Sequence, residues 1–145
     1  MIGLLQRVTQ AQVTIDGGTV ASIDTGLLVL VGIEKNDSEK QAQRLFEKLI
    51  NYRVFPDAQD KMNLSLQEIK GGLLLVPQFT LAANTQKGLR PSFSEAAAPD
   101  LGKQLFEYLI TYARQLFASV ETGVFGADMQ VSLVNDGPVT FWLKT

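Results

Sequence analysis

The chain contains no cysteine and no histidine. Without cysteine there is no disulfide framework and no thiolate nucleophile. Without histidine there is no His-dependent triad and none of the usual zinc sites. A metal would have to bind through oxygen alone, and no tight Asp/Glu cluster has the spacing of a calcium loop. An enzyme built from this sequence lacks the commonest general base. Its chemistry must come from hydroxyls, amides, carboxylates, lysines, backbone groups or the substrate itself. A large excess of either charge is also missing. The net charge of −2 argues against coating nucleic acid through bulk positive charge, while leaving room for a local basic patch. No run reaches the ~18 apolar residues of a membrane span. The opening MIGLLQRVTQAQVTI alternates like a strand, with Arg7 inside its apolar part, and does not read as a signal peptide. A cytoplasmic protein with no membrane partner is the expectation.

What is present reads as one domain, residues 1–145, with no linker, repeat or low-complexity tract. The pattern predicts a first strand over Ile2–Thr9, then a hairpin of Ala11–Ile15 and Thr19–Ile23 around Asp16-Gly17-Gly18. Leu27–Ile33 is a continuous apolar run, as expected of a strand buried on both faces. Helical period follows, with Ser38 and Gln41 as a capping box and an apolar stripe of Ala42, Leu45, Leu49 and Tyr52. The helix should end near Asn51, before a short strand at Val54-Phe55-Pro56. Asp57 and Asp60 then read as solvated turn residues in a polar loop. LLLVPQFTL (residues 73–81) is a second buried strand. Ala82–Pro99 has little periodicity, and such loops inside compact domains are often functional. Asp100 can cap a second helix, Leu101 to about Ala118, whose stripe is Leu101, Leu105, Tyr108, Leu109, Tyr112 and Leu116. Met129–Val134 and Val139–Leu143 are the last two strands. The order predicts an α/β mixed fold: a three-layer β/β/α single domain with two helices packed on one side of the sheets.

Three stretches can carry chemistry. Gln78-Phe79-Thr80 sits where a buried strand turns polar. It offers an amide, a hydroxyl and backbone N–H groups that suit an oxyanion hole. The bland alternative is a strand that simply ends. In TQKGLRPSF (85–93), Lys87 and Arg90 can neutralise phosphates and Phe93 can stack on a base; a solvated loop explains the same residues. The third stretch, Asn135-Asp136-Gly137-Pro138, has more turn-formers than a hairpin needs, and Pro138 removes a ladder donor from the next strand. It is either an over-determined turn or a type VI turn around a cis Gly137-Pro138 bond. A cis bond there would aim two successive carbonyls the same way, a rigid pair of acceptors for an ammonium group.

LLQRVTQAQVTIDG, GLLVLVGI, KMNLSL, PQFTLAA, KGLRPSF and VETGVFGADMQVSLVNDGPVT resemble, in order and spacing, the D-aminoacyl-tRNA deacylase family over essentially the whole chain. The QFTL and NDGPVT segments at this separation are the specific part. The resemblance implies a homodimeric esterase without cofactor or metal. It would cleave D-amino acids from the 3′ acceptor end of tRNA, and glycine from alanine tRNA. It places the site at the dimer interface, where Gly137-Pro138 of one subunit enters the pocket of the other, binds the substrate α-ammonium and excludes L side chains. Arg7 would brace that motif. Gln78, Phe79 and Thr80 would form the catalytic wall, with Pro77 and Met129 beside the substrate and Lys87 and Arg90 toward the tRNA. The family usually has serine where this chain has Pro77, which supplies neither hydroxyl nor N–H. Substrate-assisted hydrolysis through the 2′-hydroxyl of the terminal adenosine then fits the missing histidine. Two other readings share these features: a non-catalytic dimeric RNA- or metabolite-binding module, and a purely structural dimer.

Overall fold

A single strand of fourteen residues, β1 (Ile2–Ile15), organises the whole sheet in the computed structural model, which describes Met1–Thr145. One edge of β1 is paired along its length by β8 (Gln130–Lys144), from Ile2 opposite Lys144 to Thr14 opposite Gln130. The other edge is shared. β3 (Gly26–Gly32) takes Ile2–Val8 and β2 (Gly18–Ile23) takes Ala11–Ile15, both antiparallel. Outward from β3 lie β6 (Gly72–Pro77) and β7 (Val120–Thr122), each parallel to its neighbour. Parallel neighbours require crossovers. These are supplied by α1 (Glu39–Asn51) and α3 (Pro99–Leu116).

Successive residues of β3 and β6 feed two separate cores. Leu27, Val29, Val31, Leu73 and Leu75 pack with the helices, around Phe46 and Phe106. Leu28, Leu74 and Val76 point the other way, onto Val8, Ala11 and Val13 of β1 and onto Ala21 and Ile23 of β2. The continuous apolar runs are thus buried on both faces, and the layers are β/β/α with the two long helices on one side. β1 and β8 pass through both layers. Leu5, Val139 and Phe141 serve the helical core, whereas Val8, Val131 and Leu133 serve the other. The ribbon changes layer where its register shifts, between Gln6 and Gln10 of β1.

That geometry corrects the predicted ending. Asn135–Pro138 does not reverse the chain. Both flanks pair antiparallel with the same strand, Val134 with Gln10 and Thr140 with Gln6, so the segment between them, held to β1 where Asn135 lies opposite Val8, bulges out of one continuous β8. β1 is likewise one strand rather than a strand followed by a hairpin arm, because its alternation slips twice at the bend without losing its partner.

The helices follow their stripes with adjustments. Ala42, Leu45 and Leu49 are buried as predicted, joined by Phe46 and Ile50, while Tyr52 becomes the C-cap residue. Gln41 reaches back to the Ser38 N–H at 3.1 Å. α3 begins at Pro99, whose missing N–H suits a first helical position, so Asp100 lies in the first turn and Ala98 is the N-cap. Gly102, Leu105, Phe106, Leu109 and Ala113 form its buried face. Leu116, in the last turn, is 58 % exposed. LLLVPQFTL is strand only to Pro77, and Phe79–Ala82 coil into a 3-10 turn.

The predicted short strand at Val54–Pro56 is present as β4 (Phe55–Pro56), which pairs with β5 (Met62–Leu64) in a small hairpin; α2 (Leu66–Ile69), a single turn, lies beyond the predicted set, as does β7. The signal for α2 is in the sequence: Ser65 and Glu68 make a reciprocal capping box, Ser65 N–H to Glu68 Oε2 at 2.7 Å and Glu68 N–H to Ser65 Oγ at 3.3 Å. Asp57 and Asp60 sit in the β4–β5 turn, where the Asp57 carboxylate accepts from Gln59 N–H, Lys61 N–H and the Asn63 amide. Replacing the buried Ser65 by alanine should cost about 1 kcal/mol at neutral pH. Hydrogen bonds from the Ser65 N–H and hydroxyl hold the Glu68 carboxyl below the usual glutamate range. Their stabilisation is therefore complete above that range and disappears as pH falls through the lowered value. Urea unfolding at neutral and acidic pH should show the Ser65→Ala penalty shrinking in acid.

Candidate active site

A cleft of about 450 Å³ opens where β6 ends, walled by Pro77, Gln78 and Phe79 on one side and by Phe125 and Met129 on the other. β6 positions the first wall. The Gln78 N–H donates to the Val31 carbonyl at 2.8 Å, the last rung beside β3, after which the 3-10 turn begins. Leu81 N–H returns to the Gln78 carbonyl at 3.2 Å. A turn of this kind has no internal partner for the N–H groups of its first two residues, here Phe79 and Thr80. The Gln78 side-chain amide donates to Thr80 Oγ1 at 2.5 Å. Phe79 is 60 % exposed, and its ring lies against that of Phe93 with centroids 5.2 Å apart.

The opposite wall comes from the segment before β8, which the sequence reading passed over apart from Met129. Val124 N–H donates to Met129 Sδ at 3.3 Å. A Cβ at Gly123 would stand 2.9 Å from that sulfur and 3.3 Å from Pro77 Cδ, so glycine lets the two walls approach. A Cβ at Gly102 would stand 3.2 Å from the Phe125 ring. The available signal was two glycines, Gly123 and Gly126, around an aromatic residue ahead of the last predicted strand.

Arg7 and Asn135–Pro138 stand outside the cleft lining. The Gly137-Pro138 bond is cis and Gly137 has φ +127°, a conformation L side chains rarely adopt. The bulge is closed by Asn135, whose Oδ1 accepts from Val139 N–H at 2.7 Å and whose amide donates to Thr140 Oγ1 at 2.9 Å. Arg7 ties it down. Its Nε lies 3.0 Å from the Asp136 carbonyl and 3.1 Å from the Asp136 carboxylate, and its Nη1 donates to the Val54 carbonyl at 2.6 Å. Within one chain, then, Pro77, Gln78, Phe79 and Met129 are brought together, Thr80 is held beside them by Gln78, and Gly137, Pro138 and Arg7 form a separate unit. Lys87 and Arg90 lie in a third place, an exposed loop pinned at its base by reciprocal N–H···O bonds between Asn84 and Ser92, at 2.8 and 3.0 Å.

The family model for D-Tyr-tRNA(Tyr) deacylase matches residues 4–144 of this chain. The chain belongs to that family. A D-aminoacyl-tRNA deacylase of Pseudomonas fluorescens (strain Pf-5) is 61% identical over 145 residues, covering 100% of both chains. The D-aminoacyl-tRNA deacylase of Janthinobacterium sp. (strain Marseille) is 60% identical over 144 residues, 99% of this chain and 97% of the relative. Among solved structures, one named c-Myc DNA unwinding element binding protein superposes with a TM-score of 0.96 at 34% identity, covering 100% of this chain and 99% of that one. The match to the deacylase family thus takes in both the cleft walls and the bulge on β8.

Proposed function

We propose that this protein hydrolyses the ester between a D-amino acid and the 3′ end of tRNA, acts also on glycine carried by alanine tRNA, and spares L-aminoacyl-tRNA. The observation that supports this reading is the split site. The cleft walled by Pro77–Phe79 and Met129 and the bulge carrying Gly137-Pro138 stand apart in one chain. A homodimer reunites them if the bulge of each subunit enters the other's cleft. β8 suits such an assembly: only β1 pairs with it, and it exposes Val134 and Trp142. The Gly137 and Pro138 carbonyls then receive the substrate ammonium, and the loop wall leaves room for hydrogen but not for an L side chain. Glycine passes.

In the proposed reaction water adds to the ester carbonyl carbon, the bond to the 3′-oxygen breaks, and the products are a free D-amino acid and tRNA. The proton released by water passes through the neighbouring 2′-hydroxyl to the departing 3′-oxygen. The Phe79 and Thr80 N–H groups face the developing oxyanion. Pro77 offers no hydroxyl and Thr80 has no base beside it, so no side-chain nucleophile is required. Lys87 and Arg90 meet tRNA phosphates, and no cofactor or metal takes part. The protein works in the cytoplasm.

Incubation with D-tyrosyl-tRNA and L-tyrosyl-tRNA tests the reading directly. Release of the D-amino acid alone is expected. Retention of tRNA without release would instead mark a binding module, and failure to bind tRNA would mark a structural dimer. Thr80→Ala should retain turnover within about tenfold of wild type, the scale of one neutral hydrogen bond. Loss of turnover in that variant, with fold and tRNA binding intact, would make the threonine hydroxyl the nucleophile.

A further inference from the structure

We propose that Phe93, in ring contact with Phe79, is a platform for the base of the nucleotide that precedes the terminal one, so that the single-stranded 3′ end is gripped over two nucleotides. This rests on the tRNA reading above. Phe79 lines the cleft, while Phe93 lies beyond its lining yet in ring contact with Phe79, 5.2 Å between centroids and tilted by 44°. A strand whose last nucleotide occupies the cleft passes Phe93 one step earlier.

The position is built, not incidental. Phe93 keeps 42 % of its surface in water although the chain around it is fixed on both sides. Upstream are the Asn84–Ser92 bonds. Downstream, Ala96 N–H donates to the Phe93 carbonyl at 3.0 Å, Lys35 N–H to the Glu95 carbonyl at 2.9 Å and Ala97 N–H to the Ile33 carbonyl at 3.0 Å. An aromatic side chain held at the surface by a fixed backbone presents its face to whatever arrives. The charge of its own loop selects the class of ligand. Lys87 and Arg90 form no ion pair, and no acidic residue lies between Asn84 and Ser94. The next acid, Glu95, is paired with Lys35 at 3.1 Å. An exposed aromatic face on a loop that carries unpaired cations suits a stacked base with its phosphate, and every base has such a face.

The test compares two substrates, D-tyrosyl-tRNA and 3′-D-tyrosyl-adenosine, which lacks the upstream nucleotide. Phe93→Ala should lower the ratio of kcat/KM on tRNA to kcat/KM on the adenosine ester by about tenfold or more, with the change in KM, and Phe93→Tyr should restore it. An equal loss on both substrates would make Phe93 a mere support for Phe79 and overturn the proposal, as would an unchanged ratio. A second measurement does not need hydrolysis. Uncharged tRNA with 2-aminopurine at the penultimate position should lose fluorescence on binding the wild type and keep it with Phe93→Ala. If the wild type binds and quenches this probe yet releases no amino acid from D-tyrosyl-tRNA, the platform stands and the esterase reading fails. Binding with no quenching would refute the platform alone.

Discussion

Arg7→Ala should lower kcat/KM for D-aminoacyl-tRNA by about a hundredfold while the protein stays folded. The guanidinium joins the β8 bulge to the segment ahead of β4. It contacts the Asp136 carbonyl, the Asp136 carboxylate and the Val54 carbonyl, with 11 % of its side chain exposed. Hydrogen bonds that involve a charged group contribute roughly 1.5–3 kcal/mol each. Losing the one Nε–H that serves both Asp136 oxygens corresponds, toward the upper end of that range, to about two factors of ten at 1.4 kcal/mol each, if the loop must hold its position for catalysis. Lysine should not rescue the loss, because one ammonium cannot span both the Asp136 and the Val54 sides as a planar fork does. Steady-state kinetics, with circular dichroism and a thermal melt as controls for folding, check the result. Unchanged kinetics in a folded Arg7→Ala protein would detach the bulge from the site.

Gly26→Ala is expected to be the most damaging single-methyl addition to the fold, at more than about 3 kcal/mol. A Cβ at Gly26 would stand 2.0 Å from the Gly72 carbonyl oxygen, 2.7 Å from its nitrogen and 2.8 Å from its carbonyl carbon. All three atoms are backbone, so no rotamer change can relieve the clash. The first rung between β3 and β6 must open instead, and with it the two-sided burial of Leu27, Leu28, Leu73 and Leu74. Gly18→Ala is the control. Its new Cβ would meet nothing closer than the Ile15 carbonyl oxygen at 3.6 Å, and its cost should stay within about 0.5 kcal/mol. Urea unfolding of the two variants separates the cases, and similar midpoints would contradict the close approach of β3 and β6.

Much of the architecture was legible because periodicity reports burial directly. Leu27–Ile33 and Leu73–Val76 are apolar at every position since each face meets a core, and the stripe of α1 points at one of them. What escaped was whatever depends on a partner distant in sequence. α3 buries Phe106 and Ala113 and leaves Leu116 in water, and which part of a helix lies over the core is decided by tertiary packing that no local pattern records. α2 and β7 are short, and their few residues carry little periodicity; only the Ser65–Glu68 box could have revealed α2. For the cleft, Gln78-Phe79-Thr80 was found by its polar turn after an apolar run. Gly123 and Phe125 were missed because an absent side chain matters only once Met129 and Pro77 are seen closing over it.

By itself, the sequence determined the chemistry that is absent, the two-faced strands, the helices behind them and the glycine-proline pair in its polar surroundings. Local composition and period are sufficient for each of these. Only the tertiary structure decided that Asn135–Pro138 is a bulge and not a reversal, because that depends on both flanks finding the same strand, β1. It decided, too, that Arg7 reaches this bulge across 129 residues of chain and that the bulge stands apart from the cleft of its own subunit. Such contacts form where a long ribbon bends between two cores, and the bend is a property of how the layers pack.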